Sequence, residues 1–288
     1  MAKLLCKVLM NISEILKSAT EVLRESGVAE PRREAFSLLT LSLRKSQIFL
    51  IAHSEYELSG EEATHFQDFL KRRARREPFQ YITGRQEFYG LDFIVSKDVL
   101  IPRPETELLV AAAIEILREN SRFCEVGVGS GCLSVAILHE VGTATAIGLD
   151  VSEKALAIAE KNAETHQVAE RLELRKSDVF ENLHGEKFDL IVSNPPYISA
   201  EEMKTLQLEV RDYEPATALT DGKDGLSIIA KIIKDAPRFL NERGFLLLEI
   251  GHQQSADVRR MFDKTIWRSV ESLPDFQRIE RVIKARKM

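Results

Sequence analysis

Residues 123–131 read FCEVGVGSG, a short apolar run that leads directly into three glycines spaced two apart. A buried strand, a glycine-rich turn and a helix in this order are typical of a nucleoside-binding unit, because glycine lets the backbone approach a ligand closely and turn sharply into the helix. Leu133, Ala136 and Ile137 follow at helical spacing. The stretch therefore predicts a strand, a ligand-binding loop and a helix.

Apolar segments alternate with helical patterns on the C-terminal side of this loop. The further strand candidates span residues 144–149, 172–175, 188–192, 245–250 and 279–285. Alternating strands and helices predict a parallel sheet that is covered by helices on both faces. The predicted fold class is therefore α/β, with a Rossmann-like doubly wound sheet in a domain that spans residues 105–288.

The N-terminal part of the chain has a different pattern. Residues 1–78 carry apolar positions at helical spacing, and Ser59 with Glu62 forms a capping box ahead of one such stretch, so we expect a small helical bundle. Residues 79–104 contain two short apolar stretches around Gly90, which predict a β-hairpin linker between the bundle and the larger domain.

Two acidic residues beside the glycine loop indicate its ligand. Asp150 closes the next strand, where a carboxylate accepts hydrogen bonds from both hydroxyls of a ribose. The glycine spacing is GxGxG and lacks the GxGxxG pattern that accommodates a dinucleotide pyrophosphate. Glu125 lies two residues before Gly127; its charge would repel a pyrophosphate but suits the cationic aminopropyl part of S-adenosylmethionine. The charges favour S-adenosylmethionine over NAD.

The rest of the predicted cofactor site lies at the ends of the neighbouring strands. Asp178 follows the third strand and is placed to accept a hydrogen bond from the adenine amino group, while Val179 packs against the ring. The predicted cofactor-binding residues are Glu125, Gly127, Val128, Gly129, Ser130, Gly131, Asp150, Asp178, Val179 and Asn194.

A proline-bearing tetrad follows the strand candidate at residues 188–192: Asn194, Pro195, Pro196 and Tyr197. The prolines fix the backbone and leave rigid carbonyl acceptors. Asn194 Oδ1 and the Pro195 carbonyl can accept the two hydrogens of a planar NH2 group, while the Tyr197 ring packs against its face. The tetrad thus predicts methyl transfer to a planar amine, with Asn194, Pro195 and Tyr197 as catalytic residues and the whole tetrad as the substrate site.

These features together resemble class I S-adenosylmethionine-dependent methyltransferases, and more closely the HemK/PrmC family of peptide chain release factor N(5)-glutamine methyltransferases. The resemblance covers nearly the whole chain. It is carried by residues 81–84 (YITG), 100–107 (LIPRPETE), 127–131, 194–197 and 213–215 (YEP). Three residues differ from those usual in the family: Glu125 replaces Asp, Val128 replaces Thr, and Val179 replaces an aromatic residue.

The resemblance implies a specific reaction. In that family one methyl group passes from S-adenosylmethionine, leaving S-adenosylhomocysteine, to the glutamine of a Gly-Gly-Gln loop in class I release factors. Residues 127–131, Asp150, Val179 and Asn194 would line the cofactor site, and residues 194–197 would hold the glutamine. The N-terminal bundle would dock the release factor.

Composition excludes several other classes of protein. The net charge of −5 argues against a general nucleic-acid coat, and no run approaches the roughly 20 apolar residues that span a bilayer. Cys6, Cys124 and Cys132 form no CxxC pair, which suits a reducing cytosol. The six histidines form no HxH or HExxH pattern, so we expect no metal. We expect a cytoplasmic monomer without membrane contact or direct nucleic-acid binding.

The residues leave some alternatives open. The same chemistry suits a ribosomal protein glutamine or an exocyclic base amine, and a non-catalytic cofactor-binding module is a third possibility. The basic run at residues 71–76 either ends a solvated helix or contacts RNA or an acidic release-factor surface. Arg103 and Glu105 are interpreted as a clamp between structural elements, with a role beside the substrate as the alternative.

Overall fold

The computed structural model describes residues 11–288, so Cys6 lies outside the described part. The contacts separate a smaller unit that ends at Thr83 from a larger unit that begins at Gly84. The smaller unit contains α1 (Ile12–Glu25), α2 (Pro31–Leu43), α3 (Gln47–Ala52), α4 (Gly60–Ala74) and α5 (Phe79–Thr83).

Local sequence explains where these helices begin. Pro31 occupies the first turn of α2, where its missing N–H costs nothing. The Ser59 hydroxyl accepts from the Glu62 N–H at 3.3 Å, and the Ser59 N–H donates to Glu62 Oε2 at 2.8 Å, so the predicted capping box of α4 is confirmed. Residues 79–83, predicted to begin the hairpin linker, form the short helix α5 instead.

The basic run at residues 71–76 lies at the C-terminal end of α4. The Arg72 guanidinium donates to both oxygens of Glu77, at 2.5 and 2.9 Å. Arg73 is only 5% exposed and donates to the Glu34 carboxylate. These contacts favour the helix-end interpretation for both arginines, because each side chain is engaged within its own unit.

The larger unit alternates strands and helices. It begins with the hairpin strands β1 (Arg85–Phe88) and β2 (Leu91–Ile94). It continues through α6 (Glu107–Ile116), β3 (Arg122–Val126), α7 (Cys132–Glu140), β4 (Thr145–Asp150), α8 (Glu153–Thr165), β5 (Leu172–Lys176) and β6 (Phe188–Ser193). The remaining elements are α9 (Leu208–Tyr213), α10 (Ala216–Leu219), α11 (Ser227–Asp235), β7 (Leu240–Glu249), α12 (Ser255–Arg260), β8 (Trp267–Pro274) and β9 (Glu280–Lys287).

Seven of these strands form one sheet in the order β5-β4-β3-β6-β7-β9-β8, and two apolar clusters pack on it. The chain moves outward from β3 through β4 to β5 and then returns to place β6 on the other side of β3. This reversal is the switch point at which doubly wound sheets bind ligands, beyond the carboxyl ends of the strands. The predicted α/β doubly wound fold is confirmed.

The sheet is nevertheless mixed: the expected parallel pairing holds from β5 through β4, β3 and β6 to β7, but not beyond β7. β9 pairs antiparallel with both β7 and β8. The connection between β8 and β9 is a tight turn in which Asp275 Oδ1 accepts from the N–H groups of Gln277 and Ile279, at 2.8 and 2.9 Å. A connection this short can join only antiparallel neighbours, because a parallel crossover needs a dozen or more residues. Strand β8, which begins at Trp267, was not predicted.

Asn162 on α8 joins two segments of the larger unit. Its side chain is fully buried; Oδ1 accepts from the Ile94 N–H at 2.8 Å, and Nδ2 donates to the carbonyls of Ile94 (3.0 Å) and Ser130 (2.8 Å). Ile94 ends the hairpin, and Ser130 belongs to the glycine loop. One amide therefore satisfies three backbone groups and holds the loop against the hairpin.

Replacing Asn162 by Ala should lower the free energy of unfolding by about 2–4 kcal/mol, because it leaves buried backbone groups without partners. Urea denaturation checks this value. Lys161→Ala, at an exposed position of the same helix, is the matched control and should change stability by less than about 0.5 kcal/mol. Equal stability of the two variants would contradict the assigned role of Asn162.

Candidate active site

A cleft of about 1100 Å³, part of it open to solvent, lies at the carboxyl edge of the sheet in the larger unit. The segment before α6 and the residues that follow β3, β4, β5 and β6 form its walls. Every predicted site residue except Gly131 and Tyr197 lines it. The structure thus brings together residues that are far apart in the sequence.

The glycine loop is held against the end of β4. The N–H groups of Gly127 and Val128 both donate to the Leu149 carbonyl, at 2.8 and 2.9 Å. Gly131 has a φ of 79°, and a Cβ at this position would lie 3.2 Å from the Ala159 Cα. Glycine is required here because a side chain would be both strained and crowded.

Asp150 lies at the end of β4 and braces the glycine loop. Its Oδ2 accepts from the Gly129 N–H at 2.9 Å and its Oδ1 from the Ser152 N–H at 2.9 Å. Burial raises the pKa of this carboxyl above its ordinary value. Each oxygen retains a lone pair, so the carboxylate can still accept from a pair of ligand hydroxyls.

Glu125 is 3% exposed and lies against the first turn of α7. Its Oε2 accepts from the Ser134 N–H at 2.9 Å and from the Ser134 hydroxyl, whereas the structure records no hydrogen bond to Oε1. Burial raises the pKa of Glu125 to about 8, and the neighbouring charge of Asp150 adds to the increase. A buried acid with one unpaired oxygen at a cleft suits a cationic ligand group.

The third strand contributes Asp178 and Val179. Asp178 is exposed, and its Oδ1 lies 3.0 Å from Lys231 Nζ on α11, an ion pair that the sequence did not indicate. Val179 is buried and has a φ of 52°, an uncommon backbone conformation for a β-branched residue. Both residues remain on the cleft wall.

Asn194 belongs to a chain of buried and half-buried hydrogen bonds that the sequence analysis missed. Its Nδ2 donates to Thr106 Oγ1 at 3.0 Å, and this hydroxyl donates to Glu249 Oε2 at 2.7 Å. Glu249 Oε1 in turn accepts from the Tyr197 hydroxyl at 3.1 Å. The signal was a single acid, Glu249, in the otherwise apolar 245–250 run; strand β7 ends at this residue, as β4 ends at Asp150.

Tyr197 is fixed through its backbone as well as through its hydroxyl. Gln254 Nε2 donates to the Tyr197 carbonyl at 2.9 Å, and Gln254 Oε1 accepts from the Gly251 N–H at 2.8 Å. A Cβ on Gly225 would lie only 2.1 Å from the Tyr197 carbonyl oxygen. The tetrad is therefore packed too tightly to admit a side chain at position 225.

The predicted clamp at Arg103 is present. Its guanidinium donates to Glu214 Oε1 at 2.5 Å, and Glu214 Oε2 accepts from the Ile101 N–H at 3.2 Å. The clamp joins the 100–107 segment to the 213–215 segment. Two stretches that carried the sequence resemblance are thus in direct contact, whereas Glu105 takes no part in this ion pair.

Comparison with known proteins identifies the family of the chain. The PrmC N-terminal domain model matches residues 14–84, and the methyltransferase small domain model matches residues 104–210. A release factor glutamine methyltransferase from Geobacter sulfurreducens is 40% identical, with 96% of each chain covered. One from Nitratidesulfovibrio vulgaris is 41% identical, over 95% of this chain and 94% of the relative.

The chain belongs to the release factor glutamine methyltransferase family. Solved structures support the fold: a methyltransferase from Pyrococcus furiosus has a TM-score of 0.54 and 18% identity, covering 75% of this chain and 98% of that one. The hMettl16 catalytic domain in complex with an RNA hairpin has a TM-score of 0.56 and 17% identity, over 76% of this chain and 81% of that one. These structures and this chain share the class I methyltransferase fold, and the chain's own family model is a methyltransferase domain.

The donor set of the cleft fits S-adenosylmethionine. Glu125 offers a carboxylate oxygen to a cation, and Asp150 offers acceptors to a ribose. Within residues 11–288 no helix is both long and apolar enough to cross a bilayer, and no group of three or more His, Cys, Asp or Glu side chains is arranged to hold a metal.

The affinity for S-adenosylmethionine should pass through a maximum near pH 8. Below the Glu125 pKa of about 8 a proton must leave before the cation binds, so affinity falls as the pH falls. Above about pH 8 the α-amino group of the ligand loses its own charge. Titration calorimetry across this range should compare the wild type with Glu125→Gln. In the variant the decrease in affinity below about pH 8 should disappear, whereas the decrease above about pH 8 should remain. If Glu125→Gln kept the same decrease in affinity below about pH 8, the assignment of the ligand cation to Glu125 would be contradicted.

Proposed function

We propose that this protein transfers a methyl group from S-adenosylmethionine to the side-chain amide nitrogen of the glutamine in the Gly-Gly-Gln loop of class I release factors. The single observation that carries the proposal is the fixed orientation of Asn194. Its NH2 group is bound to Thr106, so its oxygen remains available on the wall of the cleft. An amide oxygen beside the Pro195 carbonyl is suited to accept the hydrogens of a planar NH2 group.

The tetrad would act by positioning and by electrostatics. An amide nitrogen is a poor nucleophile, because its lone pair is delocalised into the carbonyl group. Asn194 Oδ1 and the Pro195 carbonyl would orient this nitrogen and stabilise the positive charge that develops on it. The N–CH3 bond forms as the S–CH3 bond of the sulfonium breaks, and the extra proton leaves the nitrogen after transfer.

One aromatic side chain and one proline would support the substrate slot. Burial raises the pKa of Tyr197 far above its ordinary value, so its hydroxyl remains a donor to Glu249 and its ring keeps one position. Pro196 on the cleft wall holds the backbone of the tetrad. We assign Asn194, Pro195 and Pro196, which line the cleft, to the substrate glutamine, and we assign Tyr197, which does not line it, to the support of the tetrad.

The cofactor would occupy the remainder of the cleft. We assign the aminopropyl cation to Glu125 and the ribose to Asp150. The backbone of residues 127–131 would lie directly against the cofactor. Asp178 and Val179 would face the adenine. Because Asp178 is paired with Lys231, its acceptor role requires the lone pairs that this ion pair leaves free.

We propose that the smaller unit docks the release factor. On α3, Ile48 and Ile51 are 78% and 72% exposed, and adjacent exposed apolar side chains support contact with another protein. The cytoplasmic location, the monomeric state and the lack of direct nucleic-acid binding stay predictions from the sequence.

Incubation with methyl-labelled S-adenosylmethionine and a class I release factor, followed by mass spectrometry, tests the reaction. We expect one methyl group on the glutamine of the Gly-Gly-Gln loop and none when that glutamine is replaced by Ala. Ribosomes, RNA and DNA labelled in parallel distinguish the ribosomal-glutamine and base-amine alternatives. Label on one of those acceptors, with none on the release factor, would refute the proposed substrate.

Asn194→Ala should lower kcat by roughly 100- to 1000-fold, because it removes one acceptor for the substrate amide. Binding of S-adenosylmethionine, measured by calorimetry, should weaken far less. Asn241→Ala is the matched control, since this asparagine bonds to Asp189 at 2.8 Å at the opposite edge of the sheet. Equal losses of turnover and of cofactor affinity in Asn194→Ala would contradict the role of Asn194 in substrate positioning.

A further inference from the structure

We propose that Thr106 and Glu249 are positioning residues for methyl transfer: together they determine which end of the Asn194 amide faces the substrate. The inference rests on the proposed function and deepens it. Neither residue lies in the Asn-Pro-Pro-Tyr tetrad. Thr106 acts on the substrate through Asn194, and Glu249 acts through Thr106 and also holds the Tyr197 hydroxyl.

The hydrogens that each group can donate determine the direction of the hydrogen bonds at Thr106. A threonine hydroxyl has one hydrogen, and that of Thr106 is donated to Glu249 Oε2 at 2.7 Å. Thr106 Oγ1 can therefore only accept from Asn194, so the Asn194 group 3.0 Å away must be the NH2 and not the oxygen. The direction of a single hydrogen bond at Thr106 sets the orientation of the amide.

The carboxylate form of Glu249 is what fixes this direction. An ionised carboxylate only accepts, and Glu249 accepts from Thr106 on one oxygen and from Tyr197 on the other. A protonated Glu249 could donate to Thr106, which would then be free to donate to the Asn194 oxygen. The reversed amide would point its NH2 toward the NH2 of the substrate, and two donors repel each other.

The groups around Glu249 bring its protonation into the physiological pH range. Glu249 is 1% exposed, and burial raises its pKa to about 7, with a further increase from Glu105 on the turn before α6. The hydrogen bonds from Thr106 and Tyr197, and the charge of Arg281 on β9, oppose the increase. Since the ionised form orients Asn194 correctly, activity should rise with pH through about 7.

The experiment measures kcat, KM and S-adenosylmethionine binding with a release factor as acceptor. Thr106→Val keeps the shape of the side chain but removes the hydroxyl, and we expect kcat to fall by roughly 10- to 100-fold, with cofactor affinity changed by less than about twofold. Thr106→Ser restores the hydroxyl and should recover kcat to within about threefold of wild type. Thr40→Val, which removes the hydroxyl bonded to the Phe36 carbonyl in the smaller unit, is the matched control and should retain wild-type kcat.

The pH profile separates positioning from general support of the fold. Wild-type kcat should rise through about pH 7, whereas Glu249→Gln should have a lower kcat without this inflection. Wild-type kcat in Thr106→Val, failure of Thr106→Ser to recover activity, or an inflection that persists in Glu249→Gln would each overturn the inference.

The same measurements distinguish this inference from the proposed function. A wild-type protein that leaves the release factor unlabelled refutes the proposed substrate, and the variants are then compared on whichever planar amine the wild type labels. Wild-type transfer to no acceptor refutes both. Normal wild-type transfer combined with fully active variants refutes only the positioning role.

Discussion

The parallel pairing of β3 with β6 is the contact on which the site depends. Its register places Val126 opposite Ser193, and the Ser193 hydroxyl donates to the Val126 carbonyl at 2.6 Å. The residues that follow the two strands are Gly127 and Asn194. They lie so close together that a Cβ on Gly127 would be 3.9 Å from the Asn194 carbonyl oxygen. A shift of one residue would turn every side chain to the opposite face and separate the two loops.

Two buried acids flank this junction and cost stability at neutral pH. The pKa values of Glu125 and Glu249 are raised in the folded protein, so ionising either acid is less favourable there than in the unfolded chain. The penalty grows as pH rises from the ordinary value near 4.5 towards about 7 or 8. The two sites compensate differently: Glu249 is bonded to two hydroxyl donors, whereas Glu125 keeps one oxygen unpaired. Binding of a cation at Glu125 would recover part of its penalty.

The sequence predicted what local patterns encode. The glycine loop, the capping box at Ser59 and the alternation of strands and helices all rest on residues that are close along the chain. Pairings between distant segments were not accessible in this way. Strand β9 pairs with β7, which lies far from it in the sequence, and the turn that joins β8 to β9 is closed by the side chain of Asp275. Thr106 and Glu249 lie far apart in sequence, and only the fold brings them to Asn194.

At the charged residues Arg103 and Asp178 the sequence predicted the position of the residue but not its ion-pair partner. Arg103 and Glu105 were interpreted together as a clamp between structural elements, and the structure gives Arg103 a different partner, Glu214. Asp178 was assigned to the cofactor from its strand-end position alone, and the structure adds an ion pair to Lys231 that no local pattern contains. Position at a strand end places a residue beside the cleft, but it does not reveal what else the residue contacts.

The chemistry of the slot limits what it can select. Asn194 Oδ1 and the Pro195 carbonyl are neutral acceptors. The carboxylate of Glu249 accepts from Thr106 and Tyr197 and does not line the cleft. Such a slot distinguishes a planar NH2 group from a charged ammonium, which would require a carboxylate. It does not distinguish a glutamine amide from the amino group of a nucleobase, since both present two coplanar hydrogens. The choice between protein and nucleic acid must therefore be made by surfaces outside the slot, and the exposed isoleucines of α3 provide a surface suited to protein.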